Sequence, residues 1–227
     1  MFYPELLAAT ERQRNALLNI AFIRDGAAGK LSRGDYIAFL SEAYHHVKHT
    51  LPLLMACGAR LPERLEWLRT AMSEYIQEET GHQEWILNDI TACGGDAEAV
   101  RRAQPSVAVE LMVAYAYDTI ARINPVGFLG MVLVLEGTST RVASQAAAAL
   151  RSALHLPPTA FTYLDSHGAL DVGHTQFFET LVNRLDDPAD RAQLVHCAKV
   201  FYRLYGDVFR NLDHQRGALA EIATEAA

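Results

Sequence analysis

The 227-residue sequence predicts an all-α fold, a single helical domain of about seven helices. Three observations carry this. Apolar residues recur at steps of three and four along nearly every segment, which is the helix period. No stretch alternates apolar with polar residues while carrying the β-branched side chains of a strand. Pro and Gly fall where helices start and stop.

In chain order, the first helix is expected from about Pro4 to Arg24, ending at Gly26 and Gly29. Ser32 caps a second, with the apolar stripe Tyr36, Leu40, Ala43, Val47 and Leu51, and Pro52 should kink or shorten its end. Pro62 opens a third, which continues to Gly94 and Gly95 with the stripe Leu65, Leu68, Met72, Tyr75 and Ile86. Pro105 opens the fourth, and Asn124-Pro125 separates it from a fifth that runs to about Leu154. Pro157-Pro158 begins the sixth, and Asp187-Pro188 the seventh, which ends near Leu212. The domain is expected over residues 1–214, with 215–227 as a frayed tail.

Composition narrows the function. A formal charge of −7 offers no basic footprint for nucleic acid, and the 50% apolar content is too high for a disordered chain. The longest apolar run, Phe128 to Leu135, is interrupted by Gly130 and stops at Glu136, short of the ~20 residues a bilayer needs. The stretch Met1 to Arg14 carries charges at once and lacks a signal-type apolar segment, so a cytoplasmic location without membrane attachment is expected. Cys57, Cys93 and Cys197 form neither a disulfide framework nor a CxxC site and read as reduced, buried, small hydrophobes.

The informative positions are polar residues on stripes that should be buried. On the third helix the stripe passes Met72, Tyr75, Glu79, His82 and Ile86. The fifth presents Glu136 directly after Met131 to Leu135. On the sixth, Leu164, His167, Asp171, His174, Phe178 and Leu181 share one stripe, and the spacing of the three polar members confines them to roughly 60° around the axis. Singly, each has a plain explanation: a hydrogen-bonded core His, or a Glu paired with Arg141 or Arg122. Together, three carboxylates and three imidazoles facing inward would be costly to bury, and few Lys or Arg lie on those stripes. Two divalent cations would offset the charge, with Fe or Mn suited to mixed His/carboxylate ligation. Glu78 and Glu74 can each substitute for Glu79 but point off the stripe. A second E-x-x-H, Glu42 to His45, together with His49, reads as a solvated face opposite Val47. His155, His196 and His214 read as peripheral. Tyr75, Tyr115 and Tyr117 either line a pocket or pack as ordinary aromatics. Gly168 and Gly173 should weaken the sixth helix by about 1 kcal/mol each relative to Ala.

Glu79-x-x-His82, Glu136 and His167-x-x-x-Asp171-x-x-His174 resemble the ligand set of the heme-oxygenase-like diiron oxidases and oxygenases, within the wider TenA/PqqC/CADD-like superfamily. Ile20 to Phe22, Gly29 to Ser32 and Tyr36 to Leu40 are similar to that superfamily's first two helices. The resemblance implies a heme-oxygenase-like (TenA/PqqC-like) bundle that forms a homodimer. It implies two Fe ions, with Mn able to stand at one position, O2 as co-substrate and a small-molecule substrate. It implies that Glu79, His82 and His174 bind mainly one iron, and His167 and Asp171 the other, with Glu136 between them. Catalysis by these six would then run through the metals. Heme is not expected, because true heme oxygenases take their axial His from the first helix and the first His here is His45. Thiaminase-type members place a nucleophilic Cys on the segment that here reads Gly130 to Glu136 without one. The reading is therefore an O2-dependent nonheme diiron oxidoreductase. A non-redox small-metabolite-binding protein of the same fold is the main rival. An interaction module using the acidic outer face, or a hydrolytic zinc site, is less well supported.

Overall fold

A computed structural model describes the backbone of residues 1–225, and the side chains of these residues except 167–172 and 219–225. Among the described residues it contains twelve α-helices and no strand, so the fold class is as expected and the helices are more numerous. The excess comes from interruptions inside expected helices. The first becomes α1 (Phe2–Ala9), α2 (Glu11–Leu18) and α3 (Ala21–Ala27). At one break the Thr10 hydroxyl donates to the Leu6 carbonyl at 2.8 Å, and at the next the Asn19 amide donates to the Asn15 carbonyl at 2.8 Å. Short polar side chains compete in this way for the carbonyls that would continue a helix.

Ser32 and Asp35 form a reciprocal capping box that starts α4 (Arg33–Val47). Pro52 does not kink this helix. It lies in the first turn of the next one, α5 (Thr50–Arg60), where its missing N–H costs nothing. The third expected helix is divided: a 3-10 turn at Glu63–Leu65 leads into α6 (Glu66–Glu79), and α7 (His82–Ala92) follows after Thr80 and Gly81. Gly81 has φ of 93°, the left-handed region that favours glycine. The apolar stripe passes across this break without a change of period, which is why the sequence reads as one helix.

A short α8 (Ala97–Arg102) occupies an expected connector, and α9 (Val107–Asp118) runs into a π-helical turn at Thr119–Ile123. The remaining boundaries lie where Pro places them. Short 3-10 turns at Pro125–Phe128 and Pro158–Ala160 precede α10 (Leu129–Leu154) and α11 (Thr162–Asn183), and α11 is continuous through its glycines. Helix α12 (Pro188–Glu225) extends past Leu212, near which the sequence predicts its end. Arg216 holds it to α3 by donating to Asp25 at 2.8 Å.

Helix α10 is the centre of the bundle and packs on α3, α11 and α12, while α4 lies against α7, α9 and α12. Pro125–Leu154 is long and apolar enough to cross a bilayer by length and composition, which counting only unbroken apolar runs misses; here 56% of its most apolar window is buried inside the protein. Buried Asp190 accepts from Arg64 at 2.6 Å and from Asn124 at 2.9 Å, joining the start of α12 to the approaches of α6 and α10. Burial pushes its carboxyl up, yet these donors bring it below the ordinary value. The three cysteines are buried and free, and burial raises the Cys57 thiol to about 12 and the Cys93 thiol to about 11.

Candidate metal centre

Glu79 is the last residue of α6 and His82 the first of α7, and the Thr80-Gly81 turn between them leaves both buried. Glu79 Oε2 lies 3.1 Å from His82 Nδ1. The E-x-x-H pair therefore meets across a helix break rather than along one face of a continuous helix. From α11, His174 brings Nδ1 to 3.9 Å from Glu79 Oε1 and 3.7 Å from Glu136 Oε1 of α10. Its Nε2 lies 3.0 Å from Glu78 Oε2, and Glu78 reaches in from the rim with 55% of its side chain exposed. Glu74 is exposed. The fold thus gathers Glu79, His82, Glu136 and His174, with Glu78 at the edge. His167 and Asp171 lie outside the described side chains.

Neighbouring rings hold the imidazoles. His82 stacks on Trp85 with centroids 4.0 Å apart, and Tyr75 meets His174 edge-on at 5.8 Å. Ser139 and Thr140 donate their hydroxyls to the Glu136 carbonyl at 2.9 and 3.1 Å, a local bonding that bends helices. Among the described residues no three His, Cys, Asp or Glu side chains are arranged to hold an ion as they stand. The donor chemistry nevertheless fits iron: oxygen and nitrogen only, from carboxylates and imidazoles. Buried Glu79, His82 and His174 would be offset by a cation in a place where isolated charge is expensive.

Tyr75, Glu79 and Glu136 also form part of the wall of a cavity that is partly open to solvent. The rest of its lining is chiefly apolar, including Leu53, Leu54, Phe128, Met131 and Val132. Tyr115 and Tyr117 pack elsewhere: Tyr115 against Phe201 with its hydroxyl 3.4 Å from Cys197 Sγ, and Tyr117 with its hydroxyl 3.2 Å from His49 Nδ1.

His45 corrects the expectation of a solvated face. His45 and His46 are 3% and 2% exposed, because α4 is enclosed by α7, α9 and α12. Burial, and then the Lys48 ammonium 3.2 Å from Nδ1, push His45 down to about 4. Glu42 accepts from the Ser106 hydroxyl at 2.7 Å and anchors the start of α9. The signal was available: Ala43 to Val47 is longer than one turn without a charged residue.

Asp89 of α7 was not singled out by the sequence. It is fully buried and accepts the Thr162 and Tyr163 N–H groups at 3.1 and 2.8 Å. The helix that opens with His82 thereby caps the start of the helix that carries His174. Burial pushes the Asp89 carboxyl up to about 6, although the two N–H bonds pull the other way. A raised folded value means that its stabilising contribution is complete below the ordinary 3.8 and is lost as pH rises through about 6. Asp89→Asn loses one acceptor at a pH-independent cost, but has no charge to bury. Its midpoint of urea unfolding, measured on metal-free protein, is expected to rise relative to wild type between about pH 4 and about pH 7. A constant difference across that range would exclude Asp89 as the titrating group.

Comparison with solved structures places the chain in the heme-oxygenase-like class of helical folds. A domain from Shewanella denitrificans OS217, described as of unknown function with a heme oxygenase-like fold, matches with TM-score 0.84 and 24% identity, over 96% of this chain and 94% of that one. A TenA homolog from Pseudomonas syringae pv. tomato matches with TM-score 0.80 and 10% identity, over 94% of this chain and 93% of that one. Heme oxygenase-1 from the cyanobacterium Synechocystis, solved with heme, matches with TM-score 0.73 and 14% identity, over 99% and 98%. No curated protein sequence matches significantly. Within this class the chain belongs to the family described as iron-containing redox enzyme, whose profile matches residues 37–206.

Proposed function

We propose that the protein is an O2-activating nonheme diiron oxidase or oxygenase that acts on a small organic substrate. The observation that carries this is the meeting of Glu79, His82, Glu136 and His174 in and behind the wall of a large apolar cavity. Glu79, His82 and His174 would hold mainly one iron and His167 and Asp171 the other, with Glu136 contributing its carboxylate to the centre. When bound, the irons supply electrons for O2 reduction, and with them hydrogen abstraction, oxygen transfer to nitrogen or C–C cleavage.

The chain's own part is binding and exclusion. Trp85 and Tyr75 fix the planes of His82 and His174. The apolar lining keeps water from the reacting end of the substrate. The short Glu79–His82 contact joins the two helices that must stay in register when the ion enters.

Anaerobic titration with Fe(II) is expected to saturate at about two irons per chain, as two-metal sites do. Admission of O2 should then give a transient visible absorption. His174→Ala is expected to lose at least one of the irons. Absence of iron uptake, or unchanged uptake by His174→Ala, would overturn the reading. The cavity alone would then favour a non-redox protein that holds a small metabolite.

A further inference from the structure

We propose that Trp85 is a one-electron relay between solution and the metal centre: when O2 is reduced with no substrate in the cavity, its indole passes electrons to the centre through the ring of His82. This rests on the reading of Glu79, His82, Glu136 and His174 as iron ligands, and adds the route by which an external reductant reaches them.

Helix α7 sets the placement. His82 and Trp85 are one turn apart, and their rings stack with centroids 4.0 Å apart and planes 28° from parallel. His82 is 3% exposed, whereas Trp85 is partly exposed. The indole thus lies against a buried imidazole and has part of its surface in water. Electron tunnelling falls off steeply with distance, and two rings in face contact leave no gap to cross.

Two other oxidisable rings are less well placed. Tyr75 meets His174 edge-on at 5.8 Å and is 2% exposed, so it offers a reductant in solution almost no surface. The second tryptophan, Trp67, stands about 18 Å before Glu79 along the axis of α6. The Arg184 guanidinium lies 4.2 Å above its ring, and a cation there opposes removal of an electron.

Reduction of one O2 to two waters consumes four electrons and four protons. Two electrons come from the iron pair, and an oxidisable substrate supplies the other two when it is bound. In its absence Trp85 supplies them singly. The indole gives up an electron and then its Nε1 proton to water. A one-electron reductant in solution, of the ascorbate class, returns the electron, a proton returns with it, and the cycle runs twice per O2. Without the reductant the indole gives one electron only, and its radical accumulates.

The test uses the full chain loaded anaerobically with Fe(II), mixed with O2 in the absence of substrate and frozen at successive times. Electron paramagnetic resonance is expected to show an indolyl radical, identified by the change in its hyperfine pattern when the protein carries ring-deuterated tryptophan. Trp67→Phe should keep the signal. Trp85→Phe, which still offers a ring to His82, should lose it while taking up as much iron as wild type. A merely structural role for Trp85 would move iron uptake and not the radical. Ascorbate in the mixture should shorten the radical's life.

A tyrosyl signal in its place, a signal that survives Trp85→Phe, or loss of the signal in Trp67→Phe would overturn the proposal. Because the chain has two tryptophans, deuterated wild type and Trp67→Phe decide even if Trp85→Phe does not fold. Iron uptake and O2 consumption without an indolyl radical remove the relay and leave the diiron reading in place. A chain that takes up no iron removes both.

Discussion

Glu79→Gln is expected to abolish stoichiometric iron binding and to slow O2 consumption by the Fe(II)-treated protein by at least about 100-fold, whereas Glu78→Gln should retain the stoichiometry. The two carboxylates are adjacent in sequence but differ in setting. Glu79 is 8% exposed and faces both His82, at 3.1 Å, and His174, at 3.9 Å. Gln preserves the shape of the side chain and removes the charged donor, so the loss reports ligation rather than packing. Loss of a partner behind a ligand typically costs 10–100-fold, and loss of the ligand itself should exceed that. Glu78 touches His174 from a largely exposed position where water screens its charge, so its contribution should be small. Iron titration and oxygen-electrode rates on both variants make the comparison. A larger loss in Glu78→Gln would transfer the ligand role to that residue.

Much of the architecture was legible because it depends on local chemistry. Pro125, Pro158 and Pro188 each lie at the start of a helical stretch, and the Ser32 cap opens α4, because a missing N–H and a side-chain acceptor act within one turn. The interruptions at Thr10, Asn19 and Gly81 were not legible, since the apolar period runs straight across them and the deciding hydrogen bonds are single side-chain events. In the candidate site, the inward stripes singled out Glu79, His82 and His174, and the end of an apolar run singled out Glu136. Periodicity could not show that the first two are separated by a left-handed glycine. It also misplaced His45, because it assigns a helix one buried side and α4 is enclosed on several. Asp89 was beyond reach for another reason: its partners, the N–H groups of Thr162 and Tyr163, are more than seventy residues away in the chain.

The position of Glu136 depends on how closely α10 lies against α12, and a single glycine sets that distance. Gly130→Ala is expected to lower stability by about 2 kcal/mol. A Cβ there would stand 2.6 Å from the Ala198 backbone N and 2.9 Å from the Cys197 carbonyl carbon. These are backbone atoms, so no rotamer change relieves the overlap and one helix must move. Overpacking of this kind costs about 1–3 kcal/mol or more, against about 1 kcal/mol gained from replacing glycine by alanine within a helix. At Gly137, in the same helix, a Cβ would meet nothing within 4 Å among the described residues, so Gly137→Ala should keep that gain and raise stability by up to about 1 kcal/mol. Urea unfolding of the two variants should therefore move in opposite directions, and a Gly130→Ala protein as stable as wild type would show that the helices separate at no cost. If they do separate, the effect travels. Glu136 follows Gly130 by about 9 Å along the axis, so lifting α10 from α12 alters the 3.7 Å approach of Glu136 to His174. Gly130→Ala should then weaken iron binding as well, although residue 130 touches none of the candidate ligands, while Gly137→Ala leaves that approach as it is.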